Sequence, residues 1–226
     1  DWWGADLPFN RGQHNIDEIR YEWFGDSDVA FEAFRAGEIS SNREGSLSKW
    51  KTAYDFPAVE KGEIIMTEIP HQRPSGIQGM VMNTRRAPFD DWRVREALIQ
   101  AFNFEFINDT LTGGAQPRIT SYFSNSELAF QPGPATGRVA ELLAPFAAEM
   151  LPGTLEGYVF PQSDGSARNR SGIRRALKLL AEAGWTPQDG KMTNAGGDVM
   201  AFTILLSQDS SENKAITDLY VSALRR

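Results

Sequence analysis

Histidine serves as general base, proton shuttle and metal ligand near neutral pH, so His14 and His71, the only two in the chain, are the first residues to weigh. They lie far apart, each in a turn-rich stretch. A zinc site needs three or four ligands. With no cysteine and no H-x-x-x-H pair, a His-based zinc site is not expected. Thiolate nucleophiles and disulfides are excluded on the same count. A Ser-His-Asp triad needs one histidine, but no G-x-S-x-G elbow accompanies either of these. Both are expected to be surface or structural. Gly113-Gly114 and Gly196-Gly197 lack the Lys-Ser/Thr that completes a phosphate loop and read as turns. Asp90-Asp91 could be imagined as a cation pair, but helix capping accounts for it without a metal. Asp55, Glu60 and Glu63 are scattered, and nothing singles out the two carboxylates at fixed spacing that a hydrolase of that type needs. The expectation is a non-enzyme with no cofactor and no metal. Two sequons, at Asn108 and Asn169, matter only in a glycosylating host.

The chain has 226 residues, 41% hydrophobic and 23% charged, which is enough for a packed core in one large or two small domains. Its net charge of -7 argues against a nucleic-acid partner and against adhesion to anionic lipid. No run approaches the roughly 18 apolar residues of a membrane span, so the chain is not expected to cross a membrane. No signal peptide opens it, and both ends read as interior sequence. Aromatic residues make up 11%, and most are expected in the core.

The elements that would position a site alternate. Ile19, Tyr21 and Trp23 on alternate positions predict a strand over 16–24. Asp26 or Ser27 caps a helix through Phe34 that stops at Gly37, followed by a turn toward a second strand at Ile39. Residues 41–62 read as a short helix or irregular loop, and 63–69 and 77–83 as strands. Val94, Ala97, Leu98, Ala101 and Phe102 share one face of the strongest helix, which Asp90 or Asp91 caps and Gly113-Gly114 follows. Residues 115–137 read as loop. A helix from Val139 is interrupted by Pro145, and another over Ile173 to Leu180 ends at Gly184. Asp189-Gly190 is a turn pair, with Lys191-Met192 and residues 199–206 as strand partners. Asp209 and Glu212 resemble a capping box before a last apolar helix over 215–224. Alternation of this kind predicts an α/β class.

Three segments carry a resemblance. Val29-Ala30-Phe31-Glu32-Ala33-Phe34-Arg35-Ala36-Gly37-Glu38-Ile39 is similar to the helix-to-strand turn of family 5 bacterial extracellular solute-binding proteins, with Ser40 where that family usually has Asp. Gly79-Met80-Val81-Met82-Asn83-Thr84-Arg85-Arg86-Ala87-Pro88-Phe89-Asp90-Asp91-Trp92-Arg93-Val94-Arg95-Glu96-Ala97-Leu98 resembles the family's most specific stretch, a strand ending in Asn, a Pro-containing link and a V-R-x-A-L helix. Here Asn103 stands where the family has Asp near that helix's end. Arg175-Ala176-Leu177-Lys178-Leu179-Leu180-Ala181-Glu182-Ala183-Gly184-Trp185 is similar to the family's A-x-x-L-L-x-E-A-G-aromatic helix. The segment ending Tyr54-Asp55-Phe56-Pro57, and Ser121-Tyr122-Phe123-Ser124-Asn125-Ser126-Glu127-Leu128, look like the peptide- and microcin-transporting branch.

The resemblance implies a periplasmic binding protein-like fold of class II, the large cluster C type, present here in part. Residues 1–83 would end the first lobe and 84–226 would be the first half of the second. It also implies a periplasmic protein that closes two lobes on an oligopeptide or related small solute by hinge motion and delivers it to ABC transporter permease subunits. Asn83, at a strand end before the crossing, is the first ligand-binding candidate, since its amide both donates and accepts. Arg43, Glu44 and Trp50 follow, as polar and aromatic residues of the irregular segment after Gly37. A non-catalytic protein–protein interaction module is the alternative reading.

Overall fold

The chain divides into two compact units, one of residues 1–43 with 208–210, the other of 44–207 with 211–226. The structure is a computed structural model that describes residues 2–13, 15–208 and 210–225. The readings placed on His14 and on an Asp209 cap lie outside the described residues.

The first unit is built around helix α1 (Ser27–Arg35). Its N-cap is Asp26, whose carboxylate accepts from the backbone N–H of Asp28 at 2.7 Å and of Val29 at 3.2 Å. Those are two of the four amides a helix start leaves without a partner. Phe31, Ala33 and Phe34 supply its buried face. Gly37 ends the turn at φ +79°, a left-handed value that glycine adopts without strain.

The second unit holds helices α2 (Leu47–Thr52), α3 (Pro57–Glu60), α4 (Trp92–Ala101), α5 (Phe104–Thr112), α6 (Gly137–Leu143), α7 (Arg170–Glu182) and α8 (Ser211–Leu224). A hairpin of β1 (Trp185–Gln188) and β2 (Lys191–Asn194) completes it. Its core is the antiparallel pair α4 and α7. Val94, Ala97, Leu98 and Ala101 meet Ala176 and Leu180, and Tyr220 of α8 closes the cluster. Val94 is 0% exposed. Small residues at these positions let the two helix backbones approach closely, which makes Gly172 necessary. A Cβ there would run into the Gln100 carbonyl oxygen and the Asn169 side chain. Polar contacts fix the register at both ends of the pair. Arg93 donates to the Glu182 carbonyl oxygen, while Asn169 Nδ2 donates to the Gln100 carbonyl oxygen at 3.0 Å and Arg175 to the Gln100 side chain at 2.7 Å. Asn169 is buried and also accepts from Gly172 N–H as the α7 cap, so that sequon is committed to packing.

The predicted helix beyond Asp91 is two helices. Asn103 breaks it because its side chain accepts from Phe106 N–H, which starts α5 afresh. Pro145 ends α6, and a 3₁₀ turn over Ala144–Glu149 follows. In the hairpin, Asp189 (φ +48°) and Gly190 (φ +75°) both take left-handed values, as a two-residue hairpin turn requires. The partner of Lys191-Met192 precedes this turn, Gln188 with Lys191 and Pro187 with Met192. Residues 199–206 meet β2 only at their start, where Val199 bridges Thr193 and Met200 N–H donates to the Met192 carbonyl oxygen at 2.8 Å across the Gly196-Gly197 turn.

The largest correction concerns strands. Residues 16–24, 63–69, 77–83 and 199–206 form no ladder among the described residues, and the α/β alternation is present as a mostly helical layer with a small sheet. A strand exists only where a second one accepts its hydrogen bonds. The period-2 signal nevertheless survives in packing. Met80 and Met82 lie against the α4–α7 core, as do Met200 and Ile204, while Val81 is 98% exposed and Leu205 94%. Several aromatics expected in the core are on the surface, Trp23 at 91% exposed among them. No helix among the described residues is long and apolar enough to cross a membrane.

Candidate functional site

Asn83 ends the segment that carries Met80 and Met82, five residues before the buried Pro88 of the link into α4. Its side chain is exposed. Oδ1 accepts from Arg85 N–H at 3.3 Å, and its backbone carbonyl accepts from Arg86 N–H at 3.2 Å, so the residue organises the turn that follows. Nδ2 has no partner among the described residues. The amide is therefore held by its acceptor and open at its donor, a geometry suited to a ligand carbonyl.

Glu44 and Trp50 come together through a third residue, Tyr54. The Glu44 carboxylate accepts from Ser46 N–H at 2.7 Å and from the Tyr54 hydroxyl at 3.2 Å. Ser46 in turn caps α2 by accepting from Lys49 N–H. The half-buried Trp50 ring lies 5.6 Å from Tyr54, which lies 6.2 Å from Phe56. Lys51 then donates to the Thr112 carbonyl oxygen at 2.9 Å and binds α2 to the end of α5, a favourable place for a cation. Glu44 thus holds its own loop, and Trp50 and Tyr54 are both half-buried, while Phe56 is buried. Arg43 is exposed and closes the first unit. No hydrogen bond, ion pair or ring contact among the described residues joins Asn83 to Glu44 or Trp50.

Two features were not read from the sequence. The first is a cationic clamp. The Arg118 guanidinium lies over the rings of Phe104 at 5.1 Å and Phe160 at 4.7 Å and donates to the Pro161 carbonyl oxygen at 2.5 Å. Glu105 lies 3.9 Å away and accepts from Ser163 N–H at 3.0 Å. Burial alone would raise the Glu105 carboxyl, but the Ser163 hydrogen bonds and the Arg118 charge outweigh it and hold it below the usual range. Burial lowers the Arg118 guanidinium from its ordinary value, partly offset by Glu105. The second feature is the loop after the clamp. Asn125 takes φ +70° and donates from Nδ2 to the carbonyl oxygens of His71 at 2.8 Å and Arg73 at 3.0 Å. Ser75 N–H donates to the Ser124 carbonyl oxygen at 2.8 Å. The sequence signal was available as a run of Ser and Asn around two aromatics, but the distant partner was not.

The other chemical candidates resolve into structure. Asp91 caps α4 by accepting from Arg93 N–H at 2.8 Å, and the Arg93 side chain pairs with the same carboxylate. His71 Nδ1 accepts from Arg73 N–H at 3.2 Å within its turn. No group of three or more His, Cys, Asp or Glu among the described residues could hold a metal.

Comparison with known proteins matches the sequence of this chain to a family. The profile of "Bacterial extracellular solute-binding proteins, family 5 Middle" covers residues 1–226. The chain is 38% identical over 227 residues to the peptidoglycan-binding protein YepA of Agrobacterium fabrum, spanning 96% of this chain and 36% of that protein. It is 38% identical to the probable peptide-binding protein YejA of the same organism, over 100% of this chain and 37% of that protein. It is 37% identical to the uncharacterized protein YejA of Escherichia coli K12, over 93% of this chain and 35% of that protein. The chain thus spans little more than a third of the length of these curated relatives. It belongs to family 5 of the bacterial extracellular solute-binding proteins.

Proposed function

We propose that the protein carrying this chain is the substrate-binding component of an ABC importer, which captures oligopeptides or related small solutes in the periplasm without chemical turnover and hands them to permease subunits. Family membership supports capture, and the printed name of one relative, a probable peptide-binding protein, supports peptides as the solute class. The observation on this chain that carries the reading is Asn83, an exposed amide oriented by its acceptor with its donor free. A group of this kind reads a peptide main chain rather than its side chains, which suits broad specificity. Trp50 would add an apolar surface, and Arg43 and Glu44 complete the candidate set, Glu44 by shaping the loop. Lobes divided at 83/84 would then close over the ligand, with residues 84–226 forming the first half of the second lobe.

The test is retention of an equimolar library of tri- to hexapeptides by the complete polypeptide that carries this chain, read by mass spectrometry of what co-purifies. Selective retention without cleavage of any member is expected. Retention of none, or release of hydrolysed products, rejects the reading.

A second reading, a protein–protein interaction module, draws on exposed apolar side chains such as Val81 and Leu205. Sedimentation of the complete polypeptide distinguishes the two. A stable complex with another protein and no peptide retention would favour the module.

A further inference from the structure

Two extended segments of the second unit lie on its helical core with their main chains unpaired. Met80 and Met82 of residues 77–83, and Met200 and Ile204 of residues 199–206, pack against the α4–α7 cluster. The Phe202 ring meets Phe89 edge-on at 5.2 Å. The alternate positions face away from the helices. Val81 is 98% exposed and Leu205 94%, and Ala201 and Thr203 are exposed as well. Pairing begins at β2, where Val199 bridges Thr193 and Met200 N–H donates to the Met192 carbonyl oxygen at 2.8 Å. It then stops. Among the described residues, no main-chain N–H or carbonyl of residues 201–206, or of residues 77–82, takes part in a hydrogen bond.

An extended chain with a row of free donors and acceptors is a template for another strand. Edges that stay open in native proteins are blunted by charges, prolines or bulges. Neither segment holds a charged residue or a proline. Residues 199–206 are apolar at every position but Thr203. Such a near-continuous run belongs to a strand covered on both faces, not to one that borders water. The α4–α7 helices cover one face, and no strand among the described residues lies beside residues 201–206 or 77–82. Length indicates the occupant. Two relatives 38% identical along 96% and 100% of this chain are spanned by it over only 36% and 37% of their own length, so close to two thirds of such a polypeptide lies outside it. A segment tethered in the same molecule competes at a high effective concentration, which favours it over a second copy or a free partner.

We infer that residues 77–83 and 199–206 are strands of a sheet layer on α4 and α7, completed by polypeptide outside this chain that adds strands to their open edges and covers Val81 and Leu205. This is independent of the capture reading, since the free edges need partners whatever the protein binds. It bears on that reading at one point. Asn83 ends the first of these strands, so a completed sheet holds that candidate group on a rigid element. It also assigns to the protein's own polypeptide the apolar side chains on which the interaction-module reading draws.

The experiment uses the complete polypeptide carrying this chain, without ligand. Hydrogen exchange read by mass spectrometry should show amides 78–82 and 201–205 protected about a hundredfold or more over their unstructured rates, as paired strands are. The protection should survive a dilution of about a hundredfold, because pairing within one molecule does not depend on concentration. Photo-reactive benzoylphenylalanine in place of Val81, or in a second variant of Leu205, should crosslink to residues of the same molecule outside this chain. The exchange measurement on the wild type stands even where a substituted variant fails to fold. Amides that exchange freely in the wild type overturn the inference. Protection lost on dilution, with crosslinks between copies, gives the edges to a second copy and overturns it as well. Protection that arises only on adding the tri- to hexapeptide library gives them to a ligand, with the same consequence. Crosslinks to a different protein overturn it in favour of the interaction module.

Discussion

The Tyr220 hydroxyl donates a 2.9 Å hydrogen bond to the Leu98 carbonyl oxygen, 122 residues away in sequence. That carbonyl also accepts from Phe102 N–H at the end of α4, and the Phe102 ring meets Tyr220 edge-on at 5.2 Å. One side chain therefore seals the end of the central helix and anchors α8 to it.

Replacing Tyr220 with Phe removes the hydrogen bond and keeps the ring. The expected cost is about 1 kcal/mol. Tyr220→Ala loses the packing as well and should cost about 3–5 kcal/mol. Urea unfolding of both variants separates these contributions. The same residue sets an alkaline limit. Burial pushes its phenol above the ordinary range, so the fold favours the protonated form. Its contribution is complete below about pH 10, the ordinary tyrosine value, and is lost as pH rises toward the raised folded value. An unfolding midpoint that falls above pH 10 in the wild type, and less so in Tyr220→Phe, is the expected result.

Gly172→Ala places a methyl group against the Gln100 carbonyl oxygen at the α4–α7 crossing. Alanine would normally favour a helix by up to about 1 kcal/mol over glycine. Here the helices must separate, and a net loss of about 1–3 kcal/mol is expected from overpacking. Thermal unfolding reads the sign directly, and a gain in stability would show that the crossing can relax.

Arg118→Met keeps an apolar stem between Phe104 and Phe160 but removes the donor to the Pro161 carbonyl oxygen and the charge beside Glu105. A loss of about 2 kcal/mol is expected, the order of a charge-assisted hydrogen bond. Arg118→Lys should recover only part, because an ammonium group does not stack as a planar fork does. Accelerated hydrogen exchange near residues 159–163 would locate the effect.

Acid destabilises through two carboxylates. Asp91 is held below its ordinary value chiefly by its hydrogen bond from the Arg93 side chain, and Glu105 lies low despite its burial. A depressed folded pKa contributes stability that is complete above the unfolded value, near pH 4, and is lost as pH falls through the lowered folded value. Asp91→Asn should therefore flatten the decline in unfolding free energy below pH 4, measured by denaturant titration at several pH values.

Asn83→Asp keeps the acceptor for Arg85 N–H and removes the open donor. Stability should change by less than about 0.5 kcal/mol, as at other exposed positions. Peptide affinity should fall several-fold, as a lost ligand hydrogen bond implies. Calorimetry beside thermal unfolding checks both, and equal affinity would remove Asn83 from the site.

Much of the helical layer was legible because its signals are local. Asp26 and Asp91 cap, Gly37 and Gly184 stop, and Val94, Ala97, Leu98 and Ala101 recur at the helical period. Asn103 was visible as a departure from the expected residue, but its power to split one helix into two was not, since it depends on which amide its side chain reaches. The strands were over-read for the reverse reason. Residues 77–83 and 199–206 carry the alternation, yet pairing requires a second chain segment at the right distance, and alternation does not supply one.

By itself the sequence determined the helix starts and stops, the apolar faces, the lack of a thiol or metal chemistry based on cysteine, and the resemblance to a solute-binding family. These follow from residue types within a few positions of one another. Only the tertiary structure decided which faces meet, that Gly172 must be small, that Glu44 and Trp50 share Tyr54, and that Asn125 reaches back to residues 71 and 73. Each of these depends on distances between residues far apart in the chain. Close packing sets those distances, and no local spacing rule encodes them.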